Sequence, residues 1–256
     1  MRLSACLCLA YTASCAVAIK LPAAIALDVV FPGNDTYKNL TQMPVVFALH
    51  NADAALRFGY TLDWEISERA PRIRSTGMVD VGLIYKSRSD SEAPQNAVNN
   101  IWYPSELTHS NRWTPGAYTL KWKWTMTTCS EKDHTVTYHI GDEVARGSVN
   151  FTLADDGSDL DLTKDCPVHQ ALILVGRESQ EICASLDDTA KEEKPDSCNA
   201  RMSKDMATCI MANLTETDDE GTCSKLVRID NAGSMIVVSQ FGLWTLFVVA
   251  GLVLLS

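Results

Sequence analysis

Gly116-Ala117-Tyr118-Thr119-Leu120-Lys121-Trp122-Lys123-Trp124-Thr125-Met126 carries the strongest periodic signal in the chain. The even positions from Tyr118 to Met126 are apolar, while Thr119, Lys121, Lys123 and Thr125 between them are polar. A period of two is the mark of a half-buried β-strand. The aromatic face must therefore point into a core and the lysine face into water. Tyr60, Leu62, Trp64 and Ile66 alternate with Thr61, Asp63 and Glu65 in the same way, and Val149, Phe151 and Leu153 with Ser148, Asn150 and Thr152.

Weaker strands are predicted at Leu27 to Phe31, Val45 to Leu49, Met78 to Tyr85, Ala97 to Tyr103 and Val136 to Ile140. Eight short strands between residues 27 and 153, separated by turn residues and without an amphipathic helix, predict a mainly β fold, an immunoglobulin/fibronectin-like antiparallel β-sandwich. Gly116-Ala117-Tyr118 resembles the Tyr-bearing strand of such sandwiches, and Trp64 stands where a central-strand Trp packs.

Charge divides the chain. Residues 27–153 hold 14 acids and 12 bases, a net of −2, whereas residues 154–230 hold 18 and 8, a net of −10. The change falls at Ala154-Asp155-Asp156-Gly157-Ser158-Asp159, where turn residues replace alternation. The prediction is a sandwich domain over 27–153 and a small disulfide-linked acidic segment over 154–231. Within that segment Ala171 to Val175 reads as a strand and Ala200 to Ala212 as a short helix. The formal charge of −10 over 256 residues leaves no basic surface for phosphates, which excludes nucleic acid as a partner.

Both ends read as sorting signals. Arg2 followed by an apolar stretch closing at Ala16-Val17-Ala18 has the form of a secretory signal peptide over residues 1–18, with a second small-residue cleavage site at Ala24-Ile25-Ala26. The mature chain would begin at Ile19 or Leu27. Residues 232–256 are expected to form a C-terminal hydrophobic helix with no Lys or Arg after it, and Asn231-Ala232-Gly233 at its start has the small residues of a glycosylphosphatidylinositol (GPI) attachment site. Asn231 is the expected attachment residue, with Gly233 and Ser234 as competitors, and a single-pass transmembrane helix is the alternative.

Removing the signal peptide leaves six cysteines, Cys129, Cys166, Cys183, Cys198, Cys209 and Cys223, which in an oxidising compartment implies three disulfides in a pairing that sequence does not fix. Four sequons place candidate N-glycans on Asn34, Asn39, Asn150 and Asn213.

Val30-Phe31-Pro32 with Asn34-Asp35-Thr36-Tyr37, Pro44-Val45-Val46-Phe47-Ala48 with Asn51, and the Trp-rich strand leading to Cys129 resemble an uncharacterised family, a domain of unknown function, of secreted and often GPI-anchored fungal cell-surface proteins. The resemblance implies a location and a source but no chemistry. The chain departs from that family in lacking a Pro/Thr-rich stretch before the anchor and in carrying the extra pair Cys209 and Cys223.

No catalytic signature stands out. His134 and His139 are five apart and would face opposite sides of one regular strand, which argues against a shared metal. His50, His109 and His169 read as isolated, and Asp155, Asp156, Asp159, Asp161 and Asp165 lack calcium-loop spacing. No cofactor is expected. Trp64, Trp122 and Trp124 share apolar strand faces and read as core, whereas Trp102, Tyr103 and Trp113 lie near loops and are the candidates for an exposed carbohydrate platform. The expectation is a GPI-anchored, N-glycosylated protein on the extracellular face of the plasma membrane or in the cell wall. It would be a binding or structural protein and not an enzyme, with wall polysaccharide as the candidate partner. A polysaccharide-modifying enzyme using scattered carboxylates, and a single-pass type I membrane protein, are the alternatives.

Overall fold

The computed structural model describes residues 21–68, 72–81, 97–98, 100–108, 113–179, 183–187 and 195–215. The signal peptide, His109, Cys223, the GPI site at Asn231 and the C-terminal hydrophobic stretch lie outside the described residues. Among the described residues no helix is long and apolar enough to cross a membrane.

The fold is mainly β. Its strands are β1 (Ala23–Phe31), β2 (Thr36–Tyr37), β3 (Pro44–His50), β4 (Tyr60–Glu68), β5 (Arg72–Val81), β6 (Ala97–Val98), β7 (Ile101–Trp102), β8 (Ser105–Leu107), β9 (Gly116–Lys132), β10 (Thr135–Leu153), β11 (Val168–Ser179) and β12 (Cys183–Leu186). The helices are α1 (Ala52–Phe58) and α2 (Lys204–Leu214).

Hydrogen bonding joins the strands into one mixed sheet in the order β2-β10-β9-β12-β11-β1-β3-β7-β6, with β4 and β5 branching from β9 and β8 from β3. The sheet is mixed where the expected arrangement was antiparallel throughout. β2 runs parallel to β10, and β12 meets β9 in parallel where Ala184 faces Thr128. Two groups of strands are recognisable on either side of that junction. One is β5-β4-β9-β10, carrying the Trp-rich strand, and the other is β11-β1-β3 with its short edge strands.

Beyond the expected boundary at 153/154 the chain continues to contribute strands to the same sheet, β11 and β12. β11 pairs antiparallel with β1 from Ala23 opposite Val175 to Val29 opposite Val168, so the second half of the sequence supplies a neighbour of the first strand. The disulfide Cys129–Cys183 ties β9 to β12, and Cys166–Cys198 ties the approach to β11 to a 3-10 turn at Ser197–Ala200. Cys209 is also disulfide-bonded. Acidic composition marked solvent-facing turns, while the apolar residues between them entered the common core.

β1 begins at Ala23, earlier than the predicted Leu27, and Ala23, Ile25 and Ala26 are buried. Cleavage after Ala26 would delete four residues that pair with Leu172 to Val175, whereas cleavage after Ala18 leaves the strand whole. The helix α1 is a second correction, since no helix was expected in this region. Asn51 opens it with a left-handed φ of 56°, and Gly59 closes it with φ 66°, a value that only glycine adopts without strain. Its Ala52, Ala54, Ala55 and Phe58 are buried in a run too short to show helical periodicity.

β9 and β10 form one long hairpin around a turn at Asp133 and His134, both with positive φ, 51° and 63°. Such backbone is the signature of the tight turns that match strand twist. The predicted strands 136–140 and 148–153 are thus one strand, bent by bulges between His139 and Asp142 and between Glu143 and Ala145. His134 therefore sits in the turn and His139 in the strand, where its Nε2 lies 3.2 Å from Ser130 Oγ.

Candidate functional site

The alternation read from β9 is realised on both faces of β5-β4-β9-β10. On the inner face one cross-strand row runs Gly77, Trp64, Trp122, Gly147. Trp64, Trp122 and Trp124 are buried, as their parity predicted. The two outer glycines make room for the indoles. A Cβ on Gly77 would stand 2.3 Å from Trp64 Cζ2, and one on Gly147 would stand 2.5 Å from Trp122 Cζ2. Trp64 Nε1 donates to Glu106 Oε2 of β8 at 3.0 Å, and Trp122 Nε1 donates to Gln170 Oε1 of β11 at 3.2 Å. The indole N–H groups of Trp64 and Trp122 thus find acceptors on the other group of strands, which avoids the cost of an unpaired buried donor, whereas the buried Trp124 Nε1 has no hydrogen-bond partner among the described residues.

The outer face carries the polar residues in register with that row. Met78, Asp63, Lys123 and Arg146 form one line across four strands, and Thr76, Glu65, Lys121 and Ser148 the next. Here the surface is hollowed into an open groove of about 820 Å³. Lys123 Nζ lies 3.2 Å from Asp63 Oδ2, Lys121 Nζ lies 3.0 Å from Glu65 Oε1, and Arg146 pairs with Glu143. Each carboxylate of the groove is matched to a cation.

A second constellation lies in the core. Asp28 of β1 is fully buried, and its two oxygens are shared between two imidazoles: Oδ2 with His50 Nε2 at 2.7 Å and Oδ1 with His169 Nδ1 at 2.9 Å. His50 and His169 are therefore not isolated. Asp28 faces His169 directly across the β1–β11 ladder, and His50 closes from the end of β3. The carboxylate braces three adjacent strands, and its burial is tolerable because both oxygens are satisfied. Among the described residues no group of three or more His, Cys, Asp or Glu could hold a metal ion.

The Asp-rich turns after β10 line a smaller hollow of about 210 Å³. Asp159 pairs with Lys38 at 2.7 Å, and Asp35 with Lys164 at 3.1 Å. Asp35 is held below the usual carboxylate range first by the Thr36 backbone N–H and then by Lys164. Asp161 is lowered by the Thr163 hydroxyl and backbone N–H, both of which it accepts. Lys164 is correspondingly raised by its bond to Asp35.

The aromatic platform is overturned. Trp102, Tyr103 and Trp113 are only 9%, 5% and 6% exposed. Trp102 packs edge-on against Tyr60, Trp113 edge-on against Tyr118, and the Tyr103 hydroxyl reaches Ala200 O at 3.4 Å. Proximity to loops did not expose them, because β7 pairs with β3 and the 3-10 turn covers Tyr103. The asparagines of the sequons, Asn34, Asn39, Asn150 and Asn213, are all exposed. Tyr118 Oη donates to Thr114 O at 2.8 Å, a short-range tie just ahead of the long strand.

Sequence reasoning missed the groove and the Asp28 brace. The groove depends on the register of strands far apart in sequence. The brace did leave a trace, an acid inside the apolar run Leu27-Asp28-Val29-Val30-Phe31, where an unpartnered charge would be costly.

These features define a disulfide-linked, mainly β protein with an open groove bordered by ion pairs on one sheet face and a fully satisfied buried carboxylate. Residues 20–226 match the family described as "Domain of unknown function (DUF7136)", and the chain belongs to that family. No curated protein matches it.

Proposed function

We propose that this is a secreted, N-glycosylated binding protein of a fungal cell surface, GPI-anchored at Asn231 on the extracellular face of the plasma membrane or in the wall, and that it binds in the groove across β5-β4-β9-β10. The two strand groups are the faces of an immunoglobulin/fibronectin-like sandwich, joined at one side through β12. The bonds from Trp64 to Glu106 and from Trp122 to Gln170 support that reading. Exposure of all four sequon asparagines and the bonded state of Cys129, Cys166, Cys183, Cys198 and Cys209 support passage through the secretory pathway.

The observation that carries the binding role is the groove itself, broad, open and lined by carboxylates each paired with a cation. A site of that kind presents donors and acceptors side by side. The test is retention of the secreted protein on isolated wall material. Wild type should bind, and Glu65→Ala/Lys121→Ala should bind at least tenfold more weakly. Equal retention of the two would place binding elsewhere. Phosphatidylinositol phospholipase C should release the protein from intact cells, whereas a single-pass type I protein would stay, and glycosidase treatment should lower its mass.

A polysaccharide-modifying enzyme is the second reading, favoured by one observation, the pair of imidazoles held on Asp28. Release of reducing ends from wall polysaccharide by the purified protein, lost in His169→Gln, would support it.

A further inference from the structure

Resting on the binding role just proposed, we infer that the groove takes a neutral, extended oligosaccharide chain from outside the molecule. The first argument is charge. Asp63, Glu65 and Glu143 are balanced by Lys121, Lys123 and Arg146, so the groove sums to zero on a chain of net charge −10. A polyanion would meet three carboxylates here and a polycation three cations, each at close range. A sugar hydroxyl is one donor with two acceptor lone pairs, so it can donate to a carboxylate and accept from the neighbouring ammonium at once. Hydrogen bonds of that kind to ionised partners are the stronger ones.

The second argument is rigidity. The ladder stands on strands pinned from beneath by Trp64 and Trp122, whose indole N–H groups are bonded to Glu106 and Gln170. The strands that carry the groove are thereby held in place, so its floor need not reorganise when a ligand arrives. Four adjacent strands about 4.8 Å apart span roughly 14 Å, room for a short run of sugar rings. At one end Met78 is 56% exposed, a flexible apolar side chain able to meet the C–H face of a pyranose.

One competing occupant is internal. Asn150 lies on the same face two residues from Ser148, opposite Thr119, whose hydroxyl donates to Asn150 Oδ1 at 2.8 Å. A glycan carried there would begin at the rim of the groove.

The test is titration of the secreted full-length protein with neutral hexasaccharides of glucose, mannose and N-acetylglucosamine, with a sulphated oligosaccharide and with a chitosan oligomer, at low and high salt. The expected result is binding of a neutral probe with little salt dependence and a loss of at least tenfold in Glu65→Ala/Lys121→Ala, whose folding is checked by circular dichroism. Salt-sensitive binding of a charged probe alone, abolished by the same variant, overturns the neutral-sugar assignment while leaving a binding groove. Binding that the variant does not change, or no binding by any form, overturns both. Binding of neutral probes that appears only in Asn150→Gln identifies the protein's own glycan as the occupant and overturns the external ligand.

Discussion

β9 and β3 are both central strands, yet they are buried differently. From Tyr118 to Met126, β9 buries every second side chain and leaves Lys121 and Lys123 to solvent, whereas β3 is buried at all seven positions. A strand with one wet face specifies that face residue by residue, and the wet face is then available for binding. A strand covered on both sides becomes a continuous apolar run in which position no longer tells face from face. Polar groups that enter such a region must be satisfied within it, as Asp28 is by His50 and His169. The first strand group thus carries the candidate binding surface, and the second supplies the frame.

The contrast is broken most severely by Trp122→Ala. It removes a buried indole and leaves Gln170 Oε1 without its donor, and it should cost about 3–5 kcal/mol in chemical denaturation. A loss below about 1 kcal/mol would mean the tryptophan row is not core. In the frame, Asp28→Ala leaves two imidazoles without their shared acceptor and should cost about 2–4 kcal/mol. Hydrogen exchange should then quicken in β1, β3 and β11 ahead of β9, and uniform acceleration would refute a local brace. Gly147→Ala pushes a methyl group into the Trp122 ring and should cost about 1–3 kcal/mol, with a change in tryptophan fluorescence, although the residue carries no side chain to lose.

The smallest effect compares the halves by pH. Burial pushes the hydroxyls of Tyr37 and Tyr103 from the ordinary 10.0 up to about 12. Between those values the unfolded chain has released protons that the folded chain retains, so stability must fall as pH rises through that window. Tyr103→Phe should remove one of the two contributions and flatten the decline measured by alkaline denaturation. An unchanged slope would show that Tyr103 ionises freely in the folded protein.

Much of the first group was legible in the chain. Trp64, Trp122 and Trp124 face inward as their parity requires, because in a half-buried strand side-chain direction follows from position alone. The long hairpin was readable as two pieces but not as one, since bulges shift parity between His139 and Ala145. In the second group, charge counting separated residues 154–215 from the domain they complete, because solvent-exposed turn acids say nothing about where the strand between them docks. Trp102, Tyr103 and Trp113 were misread for a related reason, since distance from a loop along the chain is not distance from the surface.

By itself the sequence determined the strand faces, the spacing of cysteines and sequons and the net charge of −10, all of which depend on local spacing or composition. Only the tertiary structure decided that Lys123 meets Asp63, that Asp28 meets His50 and His169, and that β11 lies beside β1. Those contacts join residues distant along the chain, and which residues meet is set by register and packing summed over the whole sheet.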